Sequence, residues 1–218
     1  GVIVLGRCDS QTLSFLKQYF KFVAYTGLNN LDAKYDQIIS DGYEAGKTAM
    51  KHLMELGHTR IGYIGETKKE DRYTAYCDSL TAARISYHKE YVVNVPLSLE
   101  GGYEGAKGLL RRNSDITAIF CSNDITAIGA MKALKEAGKR IPQDISIISI
   151  DDIDTAQYVS PMLTTVHMPV EEMGQMAVKI LIDRIKGGHK LPIKINLPFY
   201  LANRESCGIC PFPHRQGK

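Results

Sequence analysis

Residues 117–152 read T-A-I-F-C-S-N-D-I-T-A-I-G-A-M-K-A-L-K-E-A-G-K-R-I-P-Q-D-I-S-I-I-S-I-D-D. Residues 118–121 form an apolar run too short for a helix and rich in β-formers, which predicts a buried strand. Ala127, Ile128, Met131 and Leu134 then recur at helical spacing; Gly138 supplies a left-handed cap and Pro142 forbids continuation. Residues 145–150 are a second apolar run, ended by Asp151 and Asp152. A strand apolar on both faces belongs to a parallel sheet covered by helices on each side. Both strands end in amide or acid side chains at their carboxyl ends, the edge at which open α/β sheets bind ligands. This predicts a small-molecule site built around Asn123, Asp124 and Asp151.

The same alternation extends outward in both directions. Strands are predicted at 2–5, 22–26, 38–39, 60–65, 90–95 and 193–197, and helices at 12–19, 42–56, 72–83, 101–110 and 173–185. The segment 27–37 lacks periodicity and reads as a loop. Gly57 is placed to cap the helix whose apolar face is Ala45, Ala49, Leu53 and Leu56. Near-continuous βα alternation implies parallel sheets with right-handed crossovers. The tail after Arg204 is rich in Pro and Gly and is expected to lose order at its end.

Composition narrows the function classes. The chain has 218 residues, ample for a large core, and a formal net charge of +3, too slight to argue for nucleic acid by itself. No apolar run is long enough to span a membrane, and the N-terminus lacks the charged leader and cleavage site of a signal peptide. Five cysteines, with Cys8, Cys77 and Cys121 in apolar or helical contexts, suit reduced thiols in the cytoplasm better than a disulfide framework. Cys207-Gly-Ile-Cys210 has metal-like spacing but no second Cys or His pair beside it, so no metal is expected. No phosphate-cradling glycine motif occurs, and no cofactor is expected. His58 follows a helix-capping glycine and reads as structural.

A series of motifs now resembles a known family. Leu56-Gly57-His58-Thr59-Arg60-Ile61 resembles its turn into a strand, and Arg72 with Ala75, Tyr76 and Leu80 its R-x-x-G-[FW] helix start. Ser122-Asn123-Asp124 through Gly129, Ile141 through Ser146, Ile150-Asp151-Asp152, and Pro161 through Val166 follow in the family's order and spacing. Together they resemble the effector-binding domain of the lac repressor (LacI/GalR) family of bacterial transcriptional regulators, over essentially the whole chain. The ordered series is specific although no single motif is.

The resemblance implies an α/β, periplasmic-binding-protein-like (type I) fold: two Rossmann-like parallel-sheet subdomains joined by three crossing strands, with a ligand between them. The crossings would fall near Asp41, His167 and Leu197. Residues 1–41 and 168–197 would then form an incomplete N-terminal subdomain, and 42–167 with 198–218 the C-terminal one. The family's helix-turn-helix headpiece and first βα units have no counterpart in this sequence, so DNA would be contacted only through a missing headpiece. A homodimer, a cytoplasmic location and a sugar or glycoside as effector are further implications. A transport-associated periplasmic sugar-binding protein of the same fold is the alternative.

Arg72 sits in a helical first turn, where its charge opposes the helix dipole by a few tenths of a kcal/mol. The family uses this arginine on its ligand; the alternative is a solvated surface residue. Asp151 ends a buried strand, where a carboxylate must be paired or face a wet cleft, and carboxylates accept from sugar hydroxyls. Asn123 matches the family's ligand amide, whereas Asp124 reads as the N-cap of the following helix. Asp41 could touch ligand or cap the helix at Gly42. Tyr73 and Leu97 could wall the site or belong to the core. An acid–base hydrolase using Asp151, Asp152 and Asp154 is the reading from another class, and nothing in the sequence supplies its nucleophile. The expectation is therefore a binding protein and not an enzyme.

Overall fold

A computed structural model describes residues 1–6, 9–28, 34–112 and 115–211. The expectations for Cys8, for residues 29–33 of the 27–37 loop and for the end of the tail lie outside the described residues, while Gly27, Asp36 and Gln37, read as loop, belong to strands. The chain divides into two compact units, one of Gly1–Gly42 with Met168–Phe199, the other of Tyr43–His167 with the segment from Tyr200.

The first unit holds a four-stranded parallel sheet. β1 (Val2–Leu5), β2 (Val23–Gly27), β3 (Asp36–Ile39) and β9 (Lys194–Asn196) lie in that order. Helix α1 (Ser10–Tyr19) starts at Asp9, whose carboxylate accepts from the Thr12 N–H, two residues before the predicted start. Helix α6 (Val170–Ile185) packs Met173 and Ala177 on Ile38, with Ile3 and Leu197 closing the cluster. At the amino end of β3 the Asp36 carboxylate is fully buried and takes both arms of the Arg184 fork, at 2.5 and 2.7 Å.

The second unit is a six-stranded sheet in the order β10-β8-β7-β6-β4-β5. Its strands are β4 (Ile61–Gly65), β5 (Val92–Asn94), β6 (Ala118–Cys121), β7 (Ser146–Asp151), β8 (Thr164–His167) and β10 (Tyr200–Ala202). All are parallel except β10, which runs antiparallel to β8. Neither β8 nor β10 emerges from hydrophobic pattern alone, because Thr164 and Thr165 are polar and buried and β10 is a three-residue edge. Helices α2 (Gly42–Glu55), α3 (Asp71–Ala82), α4 (Leu99–Arg111) and α5 (Asp124–Glu136) supply the crossovers. Gly57 and Gly138 carry the positive φ, +87° and +73°, that ends α2 and α5.

Helix α4 begins two residues before the expected point because the Ser98 hydroxyl caps it, accepting from the Gly101 N–H. Gly101 and Gly102 are accordingly a packing face as well as an entrance. A Cβ on Gly102 would lie 1.9 Å from the Thr126 carbonyl oxygen, and one on Gly129 2.0 Å from that of Leu99. Only hydrogen side chains let α4 and α5 approach so closely.

Beneath the sheet, the buried His58 ring bonds the Thr117 hydroxyl at 2.9 Å, the Ser146 hydroxyl at 3.1 Å and the Gly208 carbonyl at 3.0 Å. It ties the C-terminal segment across the amino ends of β6 and β7, so the structural role read from the sequence holds. Among the described residues no helix is long and apolar enough to cross a membrane.

Candidate functional site

Strands β4 to β8 with β5 follow the order 5-4-6-7-8, which counted within this unit is 2-1-3-4-5, the doubly wound order whose direction reverses between β4 and β6. Ligands of such sheets bind outside the carboxyl ends at that reversal. One side chain spans it here. The Arg72 guanidinium, on the first turn of α3 after β4, donates through Nη1 to the carbonyl oxygen of Ser122 at the end of β6, at 2.8 Å.

Arg72 is held there by Glu70. The Glu70 carboxylate caps α3, accepting from the Arg72 backbone N–H at 3.2 Å, and grips the guanidinium twice, Nε to Oε1 at 2.6 Å and Nη2 to Oε2 at 3.1 Å. Both residues are buried, so the helix-dipole cost expected for a first-turn arginine is offset by a carboxylate at the cap. Sequence reading missed Glu70. The available signal was an acid two residues before an arginine at a helix start, a spacing that lets one carboxylate serve both the cap and the side chain.

Asp151 ends β7, two strands from β4, and is partly buried. Among the described residues nothing donates a hydrogen bond to its carboxylate. Burial, reinforced by the charges of Asp124 and Glu70 and opposed by Arg72, pushes its carboxyl up to about 7. Its φ is +126° and that of Asp152 is +59°, two successive left-handed residues that turn the chain sharply at the strand end. Such strain persists where the surrounding structure enforces it, and functional sites are where it collects.

The helix cap expected at Asp124 falls one residue earlier, on Asn123. Asn123 is the N-cap of α5, its Oδ1 accepting from the Thr126 N–H at 3.0 Å. Its amide N–H groups are what it can still offer a ligand. Asp124 is already helical and fully buried; it is structural, though not as the cap. Its carboxylate collects the hydroxyls of Ser149 and Thr165, each at 2.6 Å, and the Ile153 N–H at 2.8 Å. Burial pushes its pKa up against those three donors. It thereby ties β7, β8 and the turn after Asp151 into one piece.

Asp152 is also occupied. It accepts from Arg204 at 2.5 Å and from His167 Nδ1 at 3.0 Å, and the His167 ring stacks on Tyr200. Arg72, Asn123 and Asp151 are thus gathered at the carboxyl ends of β4, β6 and β7. Leu97, half-buried just before the α4 cap, lies beyond the same end of β5. Asp41 belongs to the other unit, following β3. Tyr73 is placed differently. Its ring packs on Tyr63 and Tyr76, its hydroxyl meets that of Tyr87 at 3.1 Å, and it lines a cavity of about 570 Å³ with Val92, Asn94 and Arg112 on the outer side of β5.

Among the described residues gathered here, no hydrogen bond pairs a nucleophile with a histidine or other base. Among the described residues no group of three or more His, Cys, Asp or Glu could hold a metal. Cys207 donates to the Ile147 carbonyl and burial pushes its thiol up to about 12, the opposite of a thiolate ligand. The site can donate from Arg72 and Asn123 and accept at Asp151, which is binding chemistry.

Residues 50–207 match the family described as periplasmic binding protein-like domain. The HTH-type transcriptional repressor MelR of Bacillus subtilis is 34% identical over 223 residues, covering 95% of this chain and 63% of that protein. The chain thus spans less than two thirds of that relative's length. The transcriptional regulator CelR in complex with cellobiose superposes with a TM-score of 0.87 at 27% identity, covering 94% of this chain and 65% of that one. A LacI-family regulator from Enterococcus faecium with bound ribose gives 0.83 at 30% identity, covering 92% and 76%.

Proposed function

The chain belongs to the periplasmic-binding-protein-like effector domains of LacI-family transcriptional regulators, and from that premise we propose that it senses a sugar or glycoside and thereby controls DNA binding by the regulator of which it is part. The observation that carries the reading is the gathering of Arg72, Asn123 and Asp151 at the carboxyl ends of β4, β6 and β7, a donor–donor–acceptor set suited to vicinal hydroxyls. Leu97 is the further contact we assign to the ligand at this edge; Tyr73 packs on the outer side of the same helix start. That Asp124 and Asp152 are fully engaged by neighbours argues for binding in place of acid–base catalysis. The cellobiose and ribose complexes among the structural relatives support a carbohydrate. We place the regulator in the cytoplasm, acting as a homodimer on DNA.

Effector binding to a sensor is a coupling between two sites through an element with two states. The test is a thermal-shift screen of the intact protein against mono- and disaccharides, sugar phosphates and purines. A ligand that binds only the native state raises the midpoint according to RT ln(1 + [L]/Kd). A sugar-induced shift that Asp151→Asn abolishes, and that moves operator affinity in parallel, is the expected result. A shift that survives Asp151→Asn unchanged refutes the assignment of the site, and a shift from purines alone refutes the ligand class.

A further inference from the structure

The charge of Arg72 is already answered within the protein, by Glu70. Of its five N–H groups, Arg72 spends one on Ser122 and two on Glu70, whose own oxygens are both occupied. The Glu70 side chain is 5% exposed and the Arg72 side chain 10%, so the ion pair is shielded from solvent and persists at physiological salt. Beside the pair stands Asp151, whose charge interacts with both partners. The carboxyl edge of this unit therefore presents one guanidinium against two carboxylates. Lys68 and Lys69 lie on the loop before α3, but both are exposed, where solvent and salt screen them.

From this geometry we infer that Glu70 is a specificity-determining residue: by neutralising Arg72 it makes the site selective for uncharged polyhydroxyl ligands over their phosphate or carboxylate derivatives. The two N–H groups left on Arg72 still donate to hydroxyl oxygens, and Asp151 accepts the hydroxyl protons. An anion meets the Asp151 and Glu70 carboxyls with no buried cation beyond the paired Arg72 among the described residues of this edge, and like-charge juxtaposition is what rejects wrong ligands at polar sites. Among the described residues no protein group donates to the Asp151 carboxyl, and a polyol supplies such donors where a phosphate dianion does not. The inference rests on the sugar-sensing reading of the same site.

The test measures, by calorimetry on the intact protein, matched pairs of probes: ribose with ribose 5-phosphate, and glucose with glucose 6-phosphate. In the unsubstituted protein the neutral member of a binding pair is expected to bind roughly tenfold or more tightly than its ester, about 1.4 kcal/mol or more. Glu70→Gln, which keeps a capping oxygen and removes the charge, is expected to shrink that ratio by improving affinity for the ester. A role for Glu70 in folding alone would weaken both members alike and leave the ratio unchanged. An ester that binds the unsubstituted protein as well as its parent sugar overturns the inference while leaving the sugar-sensing reading intact, and that comparison stands even if Glu70→Gln fails to fold. An unchanged ratio in a folded Glu70→Gln also overturns it. Silence from both members of every pair and from every mono- and disaccharide of the wider screen overturns the inference together with the reading beneath it.

Discussion

Replacing Arg72 with methionine removes the charge but keeps an unbranched side chain to fill the space of the arginine stem. The substitution strands two groups. The Glu70 carboxylate keeps its bond from the Arg72 backbone N–H and loses both guanidinium contacts, at 2.6 and 3.1 Å, while the Ser122 carbonyl loses its donor at 2.8 Å. Removing one member of a buried ion pair costs about 3–5 kcal/mol, because the survivor stays charged and desolvated. Glu70→Gln/Arg72→Met removes that stranded charge as well, leaving chiefly the unsatisfied Ser122 carbonyl at about 1–3 kcal/mol. The double variant is therefore expected to be more stable than Arg72→Met alone. Urea denaturation of the four proteins of this cycle, without ligand so that binding adds nothing, measures the coupling directly. A loss below about 1 kcal/mol for Arg72→Met, or a double variant equal to the sum of the singles, refutes the account. Loss of ligand response in an Arg72 variant is thus an ambiguous sign of ligand contact, since the fold loses its brace at the same time.

Asp151→Asn separates these effects. Its carboxyl is raised from 3.8 to about 7, so the folded state binds the proton more tightly than the unfolded chain, and stability from this group is present at low pH and is lost as pH rises through about 7. The amide is expected to abolish ligand binding while stabilising the protein at pH 8 by on the order of 1–3 kcal/mol, read from denaturation midpoints. His58 has the opposite linkage: burial, partly countered by the Gly208 carbonyl, lowers its pKa from 6.5. Stability is expected to fall as pH drops below about 6.5, with His52, also lowered by burial, adding to the slope, and His58→Gln should flatten it in pH-dependent melts. Gly129→Ala sets a Cβ 2.0 Å from the Leu99 carbonyl oxygen. The overpacking, about 1–3 kcal/mol or more, is expected to exceed the roughly 1 kcal/mol that alanine gains as a helix former. Gly174→Ala, with nothing within 4 Å in the middle of α6, should instead stabilise, and equal signs for the two in chemical denaturation would refute the packing argument.

Apolar runs and helical spacing carried most of the architecture, because burial on both faces leaves a continuous apolar strand and a one-sided helix leaves a stripe. Boundaries moved where a single polar side chain decides them, as Ser98 does for α4 and Asp9 for α1. Asn123 and Asp124 show the limit of local reading. Either can cap a helix, and the choice is made by Ser149, Ile153 and Thr165, 25 to 41 residues away, whose donors converge on Asp124 and leave the cap to Asn123. Arg72 and Asp151 could be singled out from helix and strand ends, whereas Glu70 could not be weighed until its burial was known. Tyr73 was read only as a possible wall, and the cavity it lines is made by an edge strand and a loop with no common periodicity.

The division of the chain carries a consequence for how it is made. β3 finds its outer neighbour in β9, and Ser40 bonds Leu197 across 157 residues. On a ribosome the first 42 residues of this stretch emerge early, yet their sheet cannot close until the chain has been extended through 196. In that interval the continuous segment Tyr43–His167 already holds five of the six strands of its own sheet and can collapse first. The waiting β3 edge, apolar at Ile38 and Ile39, is open to wrong pairing in the meantime. Slow synthesis or heat during that interval should be felt as aggregation of nascent chains before any loss of sensing in the finished protein.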